Sequence, residues 1–274
     1  MRKLLQNPQA LAGGTIIISL ALVALLAPYL STHDPGEPNL WAILLPPSSH
    51  HLLGTDDLGR DVFSRMVFGS RISLVVGLIA VGISSVIGII LGSISGFYGK
   101  LIDSIIMRFV DIMLCIPTFF LILAVIALIG PSIFNIMVVI GITSWMGVTR
   151  LVRAEFLSLR EREFVLAARA AGAKNYRLII RHILPHALTP IMVAFTLGLG
   201  GAIFIESALS FLGIGVQPPT PSWGNILTEG KDNIDIAWWL SVFPGLAILV
   251  TVLGFYLLAE GIREFSNPRL KGQK

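Results

Sequence analysis

The chain has 274 residues, 54% of them hydrophobic and 13% charged, with a net charge of +4 and a mean hydropathy of +0.82. Soluble domains carry roughly 25% charged residues. A water-soluble globule, a disordered chain, a nucleic-acid binder and a disulfide scaffold are therefore excluded, leaving an all-α polytopic membrane protein. The one cysteine, Cys115, can form no intrachain disulfide and, within its apolar run, reads as core packing.

In chain order, Leu11–Leu30 is the first stretch free of charge and long enough to cross a bilayer. Its basic start resembles a signal peptide, but the apolar run continues to Leu30, so an uncleaved helix is expected. The next span is Ile72–Gly99. The run Ile112–Thr149 is too long for one crossing and is broken at Gly130-Pro131, which predicts a hairpin of two helices. Pro185–Ile205 and Ile236–Ala259 complete six spans. The predicted organisation is a tail and first helix over 1–31, an extracytoplasmic loop over 32–71 and a core over 72–262. The core contains a cytoplasmic loop over 150–186, and a cytoplasmic tail follows over 263–274.

Charge sets the orientation. Of the 20 basic residues, only Arg60, Arg65, Arg71 and Lys231 fall on the outer side. Arg2, Lys3 and the tail residues Arg263, Arg269, Lys271 and Lys274 fall inside with the dense group from Arg150 to Arg181, so both termini are expected in the cytoplasm.

Within the spans, Gly88, Gly92 and Gly96 line one helix face and predict close helix packing; Ala194, Gly198 and Ala202 repeat the spacing. Glu206 is expected at the outer interface, solvated. Arg108 with Asp111, and Asp61 with Arg65, have the spacing of helical ion pairs. Val62–Ser73 is expected to form a short interfacial helix of its own, and Trp223, Trp238 and Trp239 an outer aromatic belt.

No catalytic residue, cofactor site or metal site is expected. There is no G-x-x-x-x-G-K-[ST] phosphate loop, Pro185 interrupts the pair His182 and His186, and His50 and His51 read as solvated loop residues rather than metal ligands. The charge-free spans argue against an ion-coupled secondary transporter.

The cytoplasmic segment from Arg150 to Pro185 is the most informative. Amphipathic residues lead to a small-residue patch, Ala167-Ala168 and Ala170-Ala171. Gly172 then stops the helix in a left-handed conformation, and a second amphipathic piece returns to the membrane. Little side-chain bulk between charged shoulders suits docking into a cleft on another protein. The alternative is an amphipathic hairpin lying on anionic lipid.

Ala167-Ala168, Gly172 and Ile183-Leu184-Pro185 resemble the "EAA" loop of ABC importer permeases, with Leu166 at the Glu position and His182 at the first Ile position. Leu53–Leu74, Glu206–Leu227 and the ending Asn267-Pro268-Arg269-Leu270 resemble the C-type permeases of dipeptide, oligopeptide and nickel systems. The resemblance implies a type I importer fold with six transmembrane helices. It implies a coupling loop of Leu166, Ala167, Ala168, Ala171, Gly172 and Ala173, with Ile183, Leu184 and Pro185 at the membrane re-entry. The implied partners are a second, non-identical permease, two ATP-binding subunits that hold ATP and Mg, and an extracytoplasmic binding protein. The chain would sit in a bacterial-type cytoplasmic membrane and move di- or oligopeptides, or alternatively nickel or a metal chelate.

Overall fold

The computed structural model describes residues 7–266. Arg2, Lys3, the ending Asn267-Pro268-Arg269-Leu270, Lys271 and Lys274 lie outside the described residues. The chain is helical, with a single isolated bridge between Thr55 and Asp61 as the β pairing among the described residues.

Helix α1 (Pro8–Leu25) starts at Asn7, whose side chain accepts from the amides of Gln9 and Ala10. The expected run to Leu30 is not one helix. Pro28 lacks an amide donor and clashes with the preceding turn, so the helix ends at Leu25 and a separate turn, α2 (Ala27–Leu30), follows. An irregular outer segment then leads to α3 (Val62–Tyr98), capped by the Asp61 side chain and ended by Gly99 at φ +64°. No separate interfacial helix exists. With no proline between 62 and 98 the hydrogen-bond ladder runs on without a break, and 37 residues extend about 55 Å at 1.5 Å per residue.

Helices α4 (Lys100–Leu114) and α5 (Thr118–Ile129) meet at a 79° bend. The restriction that Pro117 places on Ile116 makes this break, so the expected straight span from Ile112 is replaced by a bent pair. The break expected at Gly130-Pro131 is present, with Gly130 at φ +87°. Then follow α6 (Ile133–Thr143), α7 (Trp145–Leu159), α8 (Glu163–Ala170), α9 (Asn175–Arg177) and a π-helical turn (Leu178–Ile183). The chain continues into α10 (Leu184–Phe211), α11 (Trp223–Asp232) and α12 (Trp239–Ser266). Pro185 sits in the first turn of α10 directly after the π-turn, and the Leu184 amide donates to the Ile179 carbonyl, so the π-turn and α10 run on together. Among the described residues, five helical stretches are long and apolar enough to cross a membrane, and the bent α4–α5 pair makes a sixth if it is one span.

Glycines set the closest helix contacts. A Cβ on Gly88, Gly92 or Gly96 would lie 2.6 Å from Val148, the Thr149 carbonyl or Phe156, all on α7. A Cβ on Gly198 would meet Val81 at 3.2 Å, and Ala202 is buried. A second glycine seam joins α1 to α12, where Gly13 faces the Leu258 backbone, Gly254 faces Ile16 and Gly261 faces Ala10. The main apolar core is built by α3, α5, α6 and α10, around Val76, Ile122, Ile126, Ile136, Ile140 and Leu209.

Several polar residues depart from expectation. Glu206 is fully buried, because the segment after α10 folds back over it. Ser210 donates to its Oε1 at 2.8 Å, Ser73 donates to Oε2 at 3.4 Å, and the Val216 amide donates to the Ser210 hydroxyl. Asp111 pairs with Arg150 rather than Arg108. Trp223 and Trp239 are buried, their indole N–H groups donating to the carbonyls of Met66 and Thr55, both at 3.1 Å; Trp238 alone of the three is exposed. Cys115 is exposed at the end of α4 rather than packed in the core.

Replacing Gly92 by Leu should lower stability by about 1–3 kcal/mol, because the side chain meets α7 backbone. Gly82→Ala, where a Cβ meets nothing within 4 Å, should leave stability unchanged or raise it by up to about 1 kcal/mol. Thermal unfolding of the two variants in detergent measures the contrast.

Candidate functional site

The small-residue loop is presented by a rigid base. Helix α7 lies along the glycine face of α3, and its lower end is tied down by charge. Arg153 clamps Asp103 of α4, with Nη2 2.6 Å from Oδ2, and Ser95 of α3 donates to the same carboxylate. Arg160 Nη1 donates to the carbonyl of Gly96 at 3.1 Å and to that of Phe97 at 3.5 Å. A cation on the last carbonyls of α3 is favourably placed against the helix dipole.

From this base α8 turns back with one anchor. Val165 is fully buried in a cluster with Phe97, Val152, Phe156, Leu178 and Ile183. Ala168 and Ala173 pack partly against the same cluster. The helix then ends in a Schellman motif: the Ala173 amide donates to the Ala168 carbonyl and the Gly172 amide to the Arg169 carbonyl, both at 3.0 Å. Gly172 occupies the left-handed position at φ +83°, and a Cβ there would meet nothing within 4 Å. Leu166, Ala167, Ala171 and Gly172 are exposed. Of the residues expected to form the docking face, these four point outward while Ala168 and Ala173 face the base. At the re-entry Ile183 is buried, Leu184 half-buried and Pro185 exposed. Phe164 stacks on His186 with ring centroids 4.5 Å apart, which ties the start of α8 to the start of α10. His186 Nδ1 lies 2.7 Å from the His182 carbonyl.

The opposite end of α3 holds a second organised group, which sequence reasoning missed. Arg65 on α3 is 1% exposed and bridges Glu229 of α11 and Asp56 of the outer segment. Its Nη2 lies 2.9 Å from Glu229 Oε1. Arg60 joins the same two acids, with Nε 2.7 Å from Asp56 Oδ2 and Nη2 3.0 Å from Glu229 Oε1. Burial pushes the Glu229 carboxyl above its ordinary range, against the opposing pull of Arg65. The expected pair of Asp61 with Arg65 does not form, because Asp61 caps α3. Burial would raise its carboxyl, but bonds from the Ser64 amide, His51 and the Ser64 hydroxyl outweigh this and hold it below the ordinary range. The stretches Leu53–Leu74 and Glu206–Leu227, far apart in sequence, thus meet at one end of the molecule, with the Trp223 indole bonded to Met66 and Ser73 bonded to Glu206.

Residues 88–272 match the family model described as binding-protein-dependent transport system inner membrane component, and residues 1–47 match the N-terminal TM domain of oligopeptide transport permease C. The chain belongs to this transporter permease family. It is 44% identical to the dipeptide transport system permease protein DppC of Alkalihalophilus pseudofirmus, over 98% of this chain and 89% of that one. It is 41% identical to the probable D,D-dipeptide transport system permease protein DdpC of Escherichia coli, over 98% and 90% of the two chains. It is also 41% identical to the di/tripeptide transport system permease protein DppC of Pseudomonas aeruginosa, over 97% and 89%. An inward-facing crystal form of the MetNI methionine ABC transporter contains a chain of similar fold. Its TM-score is 0.58 at 18% identity, and the match covers 73% of this chain and 96% of that one. The fold is that of a type I ABC importer permease, and the chain is a multi-pass component of the inner membrane.

Arg65→Ala should lower stability by about 3 kcal/mol, the low end of the cost of breaking a buried pair, since Arg60 remains as the cation shared by Asp56 and Glu229. Arg71→Ala, at an exposed site on the same helix, should change little. Thermal unfolding together with limited proteolysis of the segment 34–52 distinguishes the two.

Proposed function

We propose that this chain is the translocation subunit of an ATP-driven, binding-protein-dependent importer of di- or oligopeptides, working beside a second, non-identical permease. The observation that carries the reading is the exposed, Schellman-capped tip of α8, low in bulk and mounted on α7 and α3 through buried Val165 and the Arg153 and Arg160 clamps. Two separate ATPase subunits would hold ATP and Mg and grip this tip, one of them on this chain. Closing the ATPases would drive α8 against its base. Because α7 packs its Val148, Val152 and Phe156 directly onto the glycine face of α3, the push would reach the outer end of α3 as rigid-body movement. An extracytoplasmic binding protein would deliver substrate there. Both termini would lie in the cytoplasm, on the side of the arginine-rich loop.

This chain binds no nucleotide in the proposal, in keeping with a sequence that lacks a phosphate loop. Its role is non-catalytic. Membership of the permease family leaves no place for an ion-coupled secondary transporter. The relatives named above carry dipeptide, D,D-dipeptide and di/tripeptide names, which favours peptide over nickel or a metal chelate as the substrate class. Leu166 stands where the related loops carry Glu, so the grip on the ATPase here would rest on shape and apolar contact at that position rather than on an acidic side chain.

Gly172→Arg should leave the chain inserted in the membrane while reducing peptide uptake to background. It strains the left-handed cap and puts bulk on the docking tip. Uptake of a labelled dipeptide in cells expressing the whole transporter tests this, and normal uptake with wild-type recovery of the ATPases would refute it. Unlabelled dipeptide should compete in the same assay and Ni²⁺ should not. The purified chain alone should hydrolyse no ATP.

A further inference from the structure

We propose that His33, His51 and Asp61 form a resident zinc site on the outer end of the protein. Three separate stretches of chain bring these residues together. His33 follows α2, His51 lies in the outer segment and Asp61 caps α3. Both imidazoles approach one carboxylate oxygen. His51 Nδ1 lies 2.9 Å and His33 Nδ1 3.7 Å from Asp61 Oδ1, and the two rings are 4.9 Å apart. One donor atom from each residue falls within 4.8 Å of the others.

A tetrahedral zinc with ligand bonds of about 2.0–2.1 Å separates its donors by about 3.3 Å, so the His33 nitrogen need move in, and the His51 nitrogen out, by only about 0.4 Å each, with zinc replacing the proton that His51 Nδ1 and Asp61 Oδ1 share. Two nitrogens and one carboxylate oxygen are a donor set that suits zinc and suits calcium or magnesium poorly. His33 is 44% exposed, which leaves the fourth position open to water.

The carboxylate is already oriented. Its other oxygen, Oδ2, accepts from the Ser64 amide and hydroxyl, both at 2.8 Å, and from the Thr32 hydroxyl at 3.3 Å. Such bonds behind a ligand fix its direction and strengthen metal binding. The same Ser64 hydroxyl accepts from the amides of Thr32 and His33, so the chain after α2 is held beside the carboxylate in the absence of an ion. A bound zinc would cross-link the exit of the first span and the outer segment to the first turn of α3.

The test uses full-length chain purified in detergent through a tag without histidine and stripped with chelator. Zinc titrated against a chromophoric chelator should bind at one ion per chain. His33→Ala and His51→Ala should each weaken binding by at least about tenfold, while His50→Ala, at the exposed neighbouring position, should not. Zinc should raise the unfolding temperature of the wild type but not of His33→Ala, and Mg²⁺ should raise neither. Co²⁺ should give a visible absorption band that His33→Ala abolishes. That variant guards against a folding failure of His51→Ala, because the His33 side chain is the exposed member of the set. Failure to bind stoichiometric zinc, or equal loss in His50→Ala and His33→Ala, would overturn the proposal. Neither result bears on peptide uptake, so the site and the transport reading stand or fall separately.

Discussion

The absence of side chains at Gly88, Gly92 and Gly96 lets α7 lie directly on α3, and the rest of the molecule is arranged around that contact. Close backbone approach gains dispersion contacts without the ordering of long side chains, which matters in lipid, where apolar burial between helices drives little. The contact also fixes the position of everything attached to α7. Its lower end carries Arg153 and Arg160, which close onto Asp103 and the last carbonyls of α3. The next element in sequence is α8. The tip of α8 therefore inherits its position from the glycine face of α3.

The opposite end of α3 is held by different chemistry. The core there is ionic: Arg60 and Arg65 share Asp56 and Glu229 among buried side chains. A buried network of this kind adds little net stability over an apolar one of the same shape, but it is costly to break and tolerant of only one arrangement. Geometric definition is its evident product. It joins the segment before α3 to α11, and so brings two stretches separated by more than half the chain into one platform.

How much of this was legible in the sequence depended on range. Features set by neighbours along the chain could be read: the apolar lengths, the break at Gly130-Pro131, the glycine face of α3, the stop at Gly172. Features set by distant partners could not. Asp61 and Arg65 have the spacing of an ion pair, yet Asp61 is taken by the helix cap and Arg65 by a residue 164 positions away. Glu206 counts out to the interface by helical rise, but the following segment folds over it and supplies serine hydroxyls. The continuity of α3 was hidden by its charges, since Arg65 and Arg71 suggest an interfacial element unless their burial and exposure are known. The glycine seam of α1 with α12 was missed because its members lie on two helices, and only Gly254 and Gly261 repeat at a helical interval.

That seam bears on how the chain assembles. Helix α1 is made before α12, with more than 200 residues between them. They meet through Gly13, Gly254 and Gly261, and by a bond from Asn7 to Glu264 across 257 residues of sequence. Contacts of such long range form late, because the intervening loop must close before they are made. During synthesis α1 must wait in the bilayer with its glycine face uncovered until α12 arrives. Its surface is otherwise apolar enough to be at home in lipid, so the waiting state carries little penalty. Closure of the seam then covers that face.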